Sequence, residues 1–210
     1  MARYSGSSWR SYRPEAAGAA TASQRQGVSA NCRILGLDPG SLRTGYGLID
    51  CHAGGERHLA HGCIKAGGGE FLGRLRRIFD AVAALIAEHR PDEVAIERVF
   101  VHRNPDSALK LGQARGAAIC AAVGLGASAH EYAPRAIKRA VSGYGAADKA
   151  QVAQMVTTLL SLERRPTADA ADALAVALCH AQTRRLAALL SSPRAVSVRT
   201  VRAARPGVRP

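Results

Sequence analysis

The chain has 210 residues, of which 47% are hydrophobic and 4% aromatic, and a formal net charge of +13. That length holds one domain with a real core, and no apolar run approaches the roughly 20 residues of a membrane span, so a soluble, cytoplasmic protein is expected with no membrane partner. The five cysteines are odd in number and form no C-x-x-C pair, which argues against a disulfide framework and a zinc ribbon and points to a reducing compartment; His61-Gly62-Cys63 and Cys179-His180 can be imagined as metal ligands, but no second pair at zinc-site spacing accompanies them.

Residues 1–32 form the first segment. They lack the continuous apolar stretch of a secretory signal and are rich in Arg, Ser and Ala, with the single acid Glu15. A flexible extension or a start placed too far upstream is the preferred reading, and an organellar transit peptide is the alternative. Ordered sequence begins at about Arg33. Ile34 to Asp38, Gly45 to Asp50 and His58 to Ile64 read as three strands, punctuated by Pro39-Gly40 and Gly54-Gly55. Such short connections favour an antiparallel meander.

The period then changes. From Glu70 to His89, Phe71, Leu72, Leu75, Ile78, Phe79, Val82, Leu85 and Ile86 recur at helical spacing, and Pro91 helps to end the run. A strand at Glu93 to Glu97 follows, then a helix from about Asp106 to Val123 and a strand at Ser128 to Tyr132. Two further helices are predicted over Ala147 to Ser161 and Ala168 to Arg185. A meander followed by strand–helix–strand units predicts an α/β fold, a mixed five-stranded sheet with helices on both faces. The body spans 33–190, with a basic tail over 191–210.

Most of the positive charge lies outside that body. Residues 181–210 carry seven arginines and no acid, and residues 1–32 carry four arginines against Glu15, leaving only +3 for the residues between. Such a tail either binds phosphates or is simply solvated, and composition alone leaves both readings open.

Four acids stand out within the body. Asp38 and Glu97 each close an apolar strand, and an acid there emerges at the carboxyl edge of the sheet, where α/β folds bind ligands. Asp169 and Asp172 stand three apart and share a helix face behind Thr167, a candidate N-cap. Taken singly, the helical pair could be capping acids and Asp38 a turn residue. Glu97 is harder to explain in that way.

Four blocks resemble the RuvC-type Holliday-junction resolvases of the RNase-H-like superfamily. They are Leu35 to Ser41 with Thr44 to Gly47, Ala95 to Phe100, Asp106 to Gly116, and Ala168 to Ala175, in the family's order within a likeness running from about Ile34 to Ala181. The resemblance implies an RNase-H-like nuclease body and a structure-specific endodeoxyribonuclease, which resolves four-way DNA junctions in recombination and repair. It assigns Asp38, Glu97, Asp169 and Asp172 to two Mg²⁺ ions, with Mn²⁺ as a substitute. Two such ions roughly 4 Å apart can activate water and stabilise the departing 3′ oxygen. Lys138 and Lys149 match lysines used near the scissile phosphate. Phe100 matches an aromatic that stacks on a base beside the crossover. Arg98, Arg103 and Arg115, with both lysines, complete the candidate DNA contacts; at Arg98 an uncharged amide is familiar in relatives, so this chain departs from the pattern there. The small residues of the helix from Ser107 to Val123 fit a twofold homodimer, and a RuvA–RuvB-type branch-migration complex is the implied partner.

Three other functions compete. An actin-like ATPase or sugar kinase shares the fragment Asp38-Pro39-Gly40 but needs a doubled domain and further nucleotide loops. An RNA-directed nuclease of the same fold is disfavoured by the block from Ser107 to Gly116, and a non-catalytic junction binder by the complete set of acids.

Overall fold

The structure, a computed structural model, describes residues 31–98 and 104–191. Five strands, β1 (Cys32–Asp38), β2 (Arg43–His52), β3 (Gly55–Lys65), β4 (Glu93–Glu97) and β5 (Ser128–Tyr132), form one sheet in the order β3-β2-β1-β4-β5. The meander pairs β1, β2 and β3 antiparallel, whereas β1 with β4 and β4 with β5 run parallel. The parallel pairs require crossovers, and helices supply them. The mixed sheet expected from the order of elements is therefore the observed one.

The helices are α1 (Phe71–His89), α2 (Pro105–Gly124), α3 (Pro134–Ser142), α4 (Lys149–Leu159) and α5 (Ala168–Ser191). Strand alternation divides the core between two faces. Leu35, Leu37, Val94 and Ile96 point toward α1 and α2 and meet Ile78, Val82 and Ala118. Ile34, Ile49 and Ala95 point the other way, toward α3, α4 and α5. Asp38 and Glu97 continue the second set by parity, so both project on the face that α5 covers.

Each helix end has a local cause. Arg90 takes a left-handed conformation, φ 48°, just after α1, and Pro91 prevents continuation. Asp148 and Gln151 close a capping box on α4. Asn104 caps α2, its side chain accepting from the Asp106 and Ser107 amides at 3.0 and 3.3 Å. Asn104→Ala is expected to lower stability by about 0.5–2 kcal/mol, read as a fall in the urea midpoint at constant slope; no change would deny the cap its role.

Two departures from the sequence reading concern helices. Helix α3 was not expected: its nine residues fall below the length at which periodicity is decisive, although Pro134 at its start and left-handed Gly143 at its end mark it. Helix α5 runs on to Ser191, beyond the expected end at Arg185. Phe100, Arg103, most of the N-terminal extension and residues 192–210 lie outside the described residues.

Candidate active site

Close approach of α5 to the sheet builds the site. A Cβ at Gly36 would lie 2.2 Å from the Ala173 carbonyl oxygen, and one at Gly45 would lie 1.9 Å from that of Asp169. Only glycine leaves room for helix backbone against strand backbone. The first turn of α5 thereby lies over the ends of β1 and β2, with the Thr167 carbonyl accepting from the Ala171 amide at 2.8 Å.

The contact brings Asp172 to Asp38 and Glu97. Asp38, Glu97, Asp172 and Lys149 share one cleft of about 570 Å³ with Arg98 and Arg135. Burial, and then the nearby Asp172 charge, push the Asp38 carboxyl up to about 6. Burial followed by the Asp38 and Asp172 charges pushes Glu97 up to about 7. The two carboxyls are close enough to share one proton, so they titrate as a pair. Lys149 Nζ sits 2.8 Å from Asp172 Oδ2, and this bond raises the lysine's own pKa.

Asp169 stands apart. Its Oδ2 lies 3.4 Å from Arg43 Nη1 and 3.3 Å from Cys63 Sγ, so the carboxylate leans toward the meander rather than into the cleft. It still acts electrostatically on Asp38. Lys138 is half-buried on α3 and does not line the cleft, whereas Lys149 does.

Two candidate DNA arginines have partners within the fold. Arg115 donates to the Glu97 backbone carbonyl at 3.2 Å and is bonded to Glu131, while Arg98 Nε lies 3.5 Å from the same Glu131 carboxylate. Arg115 thus braces the strand end that carries Glu97. The sequence reading missed Glu131, Arg135 and Arg43, and it weighed Cys63 only as a discounted metal ligand with His61, not as a neighbour of Asp169. Arg135 had a signal in the proline-started helix α3; Cys63 reaches the site only because it pairs with Gly45 across the sheet.

An all-oxygen cluster held together against its own repulsion suits a hard divalent cation, whose charge would relieve that repulsion. Residues 34–180 match the model of the crossover junction endodeoxyribonuclease RuvC family. The chain belongs to the RuvC family. The RuvC of Marinobacter nauticus is 59% identical over 148 residues, covering 70% of this chain and 85% of that one. The Aeromonas hydrophila RuvC is 53% identical over 166 residues, covering 79% and 96%. Among solved structures, Thermus thermophilus RuvC in complex with a Holliday junction substrate superposes with a TM-score of 0.69 at 35% identity, covering 75% of this chain and 97% of that one. The yeast mitochondrial Holliday junction resolvase, at 11% identity and a TM-score of 0.58 over 78% and 84% of the two chains, shares the RuvC fold alone.

Proposed function

We infer that this chain is a structure-specific endodeoxyribonuclease that resolves four-way DNA junctions by paired symmetric nicks. The observation that carries the reading is the cluster of Asp38, Glu97 and Asp172 at the carboxyl edge of the sheet, with Lys149 beside it, in a RuvC-family chain. Asp38, Glu97 and Asp172, with Asp169 at the flank, would hold two Mg²⁺ ions. Bound there, divalent ions supply water activation and stabilise the leaving 3′ oxygen.

The chain's own residues do the rest. The Lys149 ammonium offsets phosphate charge at the cleft, and Lys138, on the neighbouring helix, is the second cation of the reading. Arg135 and Arg98 line the cleft, where guanidinium groups can hold phosphate. Phe100 follows the strand that ends in Glu97 and stacks on a base near the crossover.

A twofold dimer fits paired cutting, because one site cannot address two opposed strands without rebinding. Helix α2 supports it. Ala114, Ala118, Ala121 and Ala122 are buried against the chain's own core, whereas Leu109 is 63% exposed and a Cβ at Gly112 or Gly116 would meet nothing within 4 Å. Sedimentation should give a dimer on junction DNA; a monomer on saturated junction would contradict the reading. Among the described residues no helix is long and apolar enough to cross a membrane. Work in the cytoplasm beside a RuvA–RuvB-type machine accords with the family.

The test is incubation with a labelled four-way junction, a linear duplex and an RNA–DNA hybrid. Mg²⁺ or Mn²⁺ should support paired nicks in the junction alone. Ca²⁺, with longer and less regular coordination, should allow binding with little cutting. Cutting in excess chelator, or equal cutting of the duplex, would overturn the assignment.

A further inference from the structure

A second polar cluster lies at the other end of β4. Glu93 opens the strand that Glu97 closes, so the two stand roughly 13 Å apart along it. Beside Glu93, His130 projects from β5 on the same face, and His180 comes down from α5, 2% exposed. Glu93 Oε2 is hydrogen-bonded to His180 Nε2 and lies 3.8 Å from His130 Nε2. The two imidazoles stack with centroids 4.4 Å apart, and one donor atom from each of the three residues falls within 4.8 Å of the others.

Three details make this more than a buried hydrogen bond. His130 Nε2 is aimed at the Glu93 carboxylate but is too distant to bond to it. Ligands about 2.0–2.2 Å from one tetrahedral ion stand at separations comparable to the His130–Glu93 gap, and an ion bound there would displace the proton now shared between His180 Nε2 and Glu93 Oε2. His180 Nδ1 lies 2.6 Å from Tyr132 Oη, and Arg184 Nε lies 2.9 Å from Glu93 Oε2. Outer partners of this kind orient a ligating imidazole and a ligating carboxylate.

We propose that Glu93, His130 and His180 form a transition-metal site, occupied by Zn²⁺, separate from the carboxylate cluster. Arg184 already balances the one carboxylate charge, so the site offers little electrostatic attraction. That selects a metal bound through imidazole nitrogen and disfavours Mg²⁺ or Ca²⁺. His130, with its side chain 42% exposed, gives the ion access from solvent and leaves a position for water. The ligands come from β4, β5 and α5, so the site exists only in the folded chain and zinc should stabilise it by mass action.

The experiment dialyses the full chain against Zn²⁺ in excess Mg²⁺, which keeps the carboxylate cluster supplied, and counts zinc per chain. His130→Phe keeps a stacked ring but removes the nitrogen, and Glu93→Gln removes the charge. Each variant should hold one zinc fewer than wild type, so binding at the five cysteines cancels in the comparison. Zinc should raise the melting temperature of the wild type and not of His130→Phe. Co²⁺ should give the visible absorption of a four-coordinate site in the wild type, lost in His130→Phe. Equal zinc content and equal melting response in wild type and both variants would overturn the proposal and leave the cluster as a strut between α5 and the sheet.

Discussion

Asp38→Asn is expected to reduce junction cleavage by about 10²–10³-fold or more while junction binding survives, because the carboxylate should hold metal rather than the bulk of the DNA. The same substitution should stabilise the metal-free fold. Asp38 and Glu97 are pushed up to about 6 and about 7, largest cause burial, so at neutral pH the folded chain must ionise groups that ionise more readily when unfolded. The folded state binds more protons than the unfolded state between about pH 4 and pH 7, so the stability contributed by the pair falls as pH rises through that window. Asn at 38 removes one charge and with it most of the loss. In chelator, the variant should therefore melt near the wild type at about pH 4 and about 2–6 °C above it at pH 7.5. Mg²⁺ should shrink the difference by stabilising the wild type. Calorimetry at both pH values and gel-based cleavage and binding assays read these effects. Full cleavage in the variant would remove Asp38 from the chemistry, and a lower melting temperature at pH 7.5 would remove the repulsion argument.

Gly45→Ala should damage the protein more broadly. Its Cβ would lie 1.9 Å from the Asp169 carbonyl oxygen and 2.6 Å from the carbonyl carbon, and both are backbone atoms that no rotamer change can move. Either α5 lifts from the sheet or β2 bends. A cost of about 3 kcal/mol or more is expected. Cleavage should fall by roughly 10²-fold even in the fraction that remains folded, because the shift displaces Asp169 and Asp172 from Asp38. Gly36→Ala should behave alike, since its Cβ would meet the Ala173 carbonyl oxygen at 2.2 Å. Gly54→Ala, where nothing lies within 4 Å, supplies the control. Denaturant unfolding with single-turnover cleavage separates the two effects; wild-type stability in Gly45→Ala would mean that α5 does not rest on the strand as described.

Much of this was legible in the residues. The strand at Glu93 to Glu97 and the strand at Ser128 to Tyr132 have the expected bounds, and the long α1 period placed its helix to within a residue. In α1 the buried Ile78, Val82 and Ile86 answer to one face, and in β4 the short apolar run Val94-Ala95-Ile96 is buried on both. Helix α3 escaped because nine residues, although Ile137 and Val141 share one buried face, are too few for a period to be decisive, and the extent of α5 escaped because its last turns carry no stop signal before Ser191.

The sequence by itself determined the class of fold and the acids worth watching, because alternation, turn residues and motif order are local properties. Tertiary structure decided what each acid faces. Asp169 and Asp172 look equivalent three residues apart, yet packing sends one toward Arg43 and Cys63 and the other to Lys149 and the cleft. Arg115 reads as a free cation in the chain and is bonded in the fold to Glu131 and the Glu97 carbonyl. Glu93, His130 and His180 are separated by up to 87 residues and share no spacing rule. Only strand register and the angle of α5 across the sheet bring them together, since contacts between distant segments are set by packing rather than by local pattern.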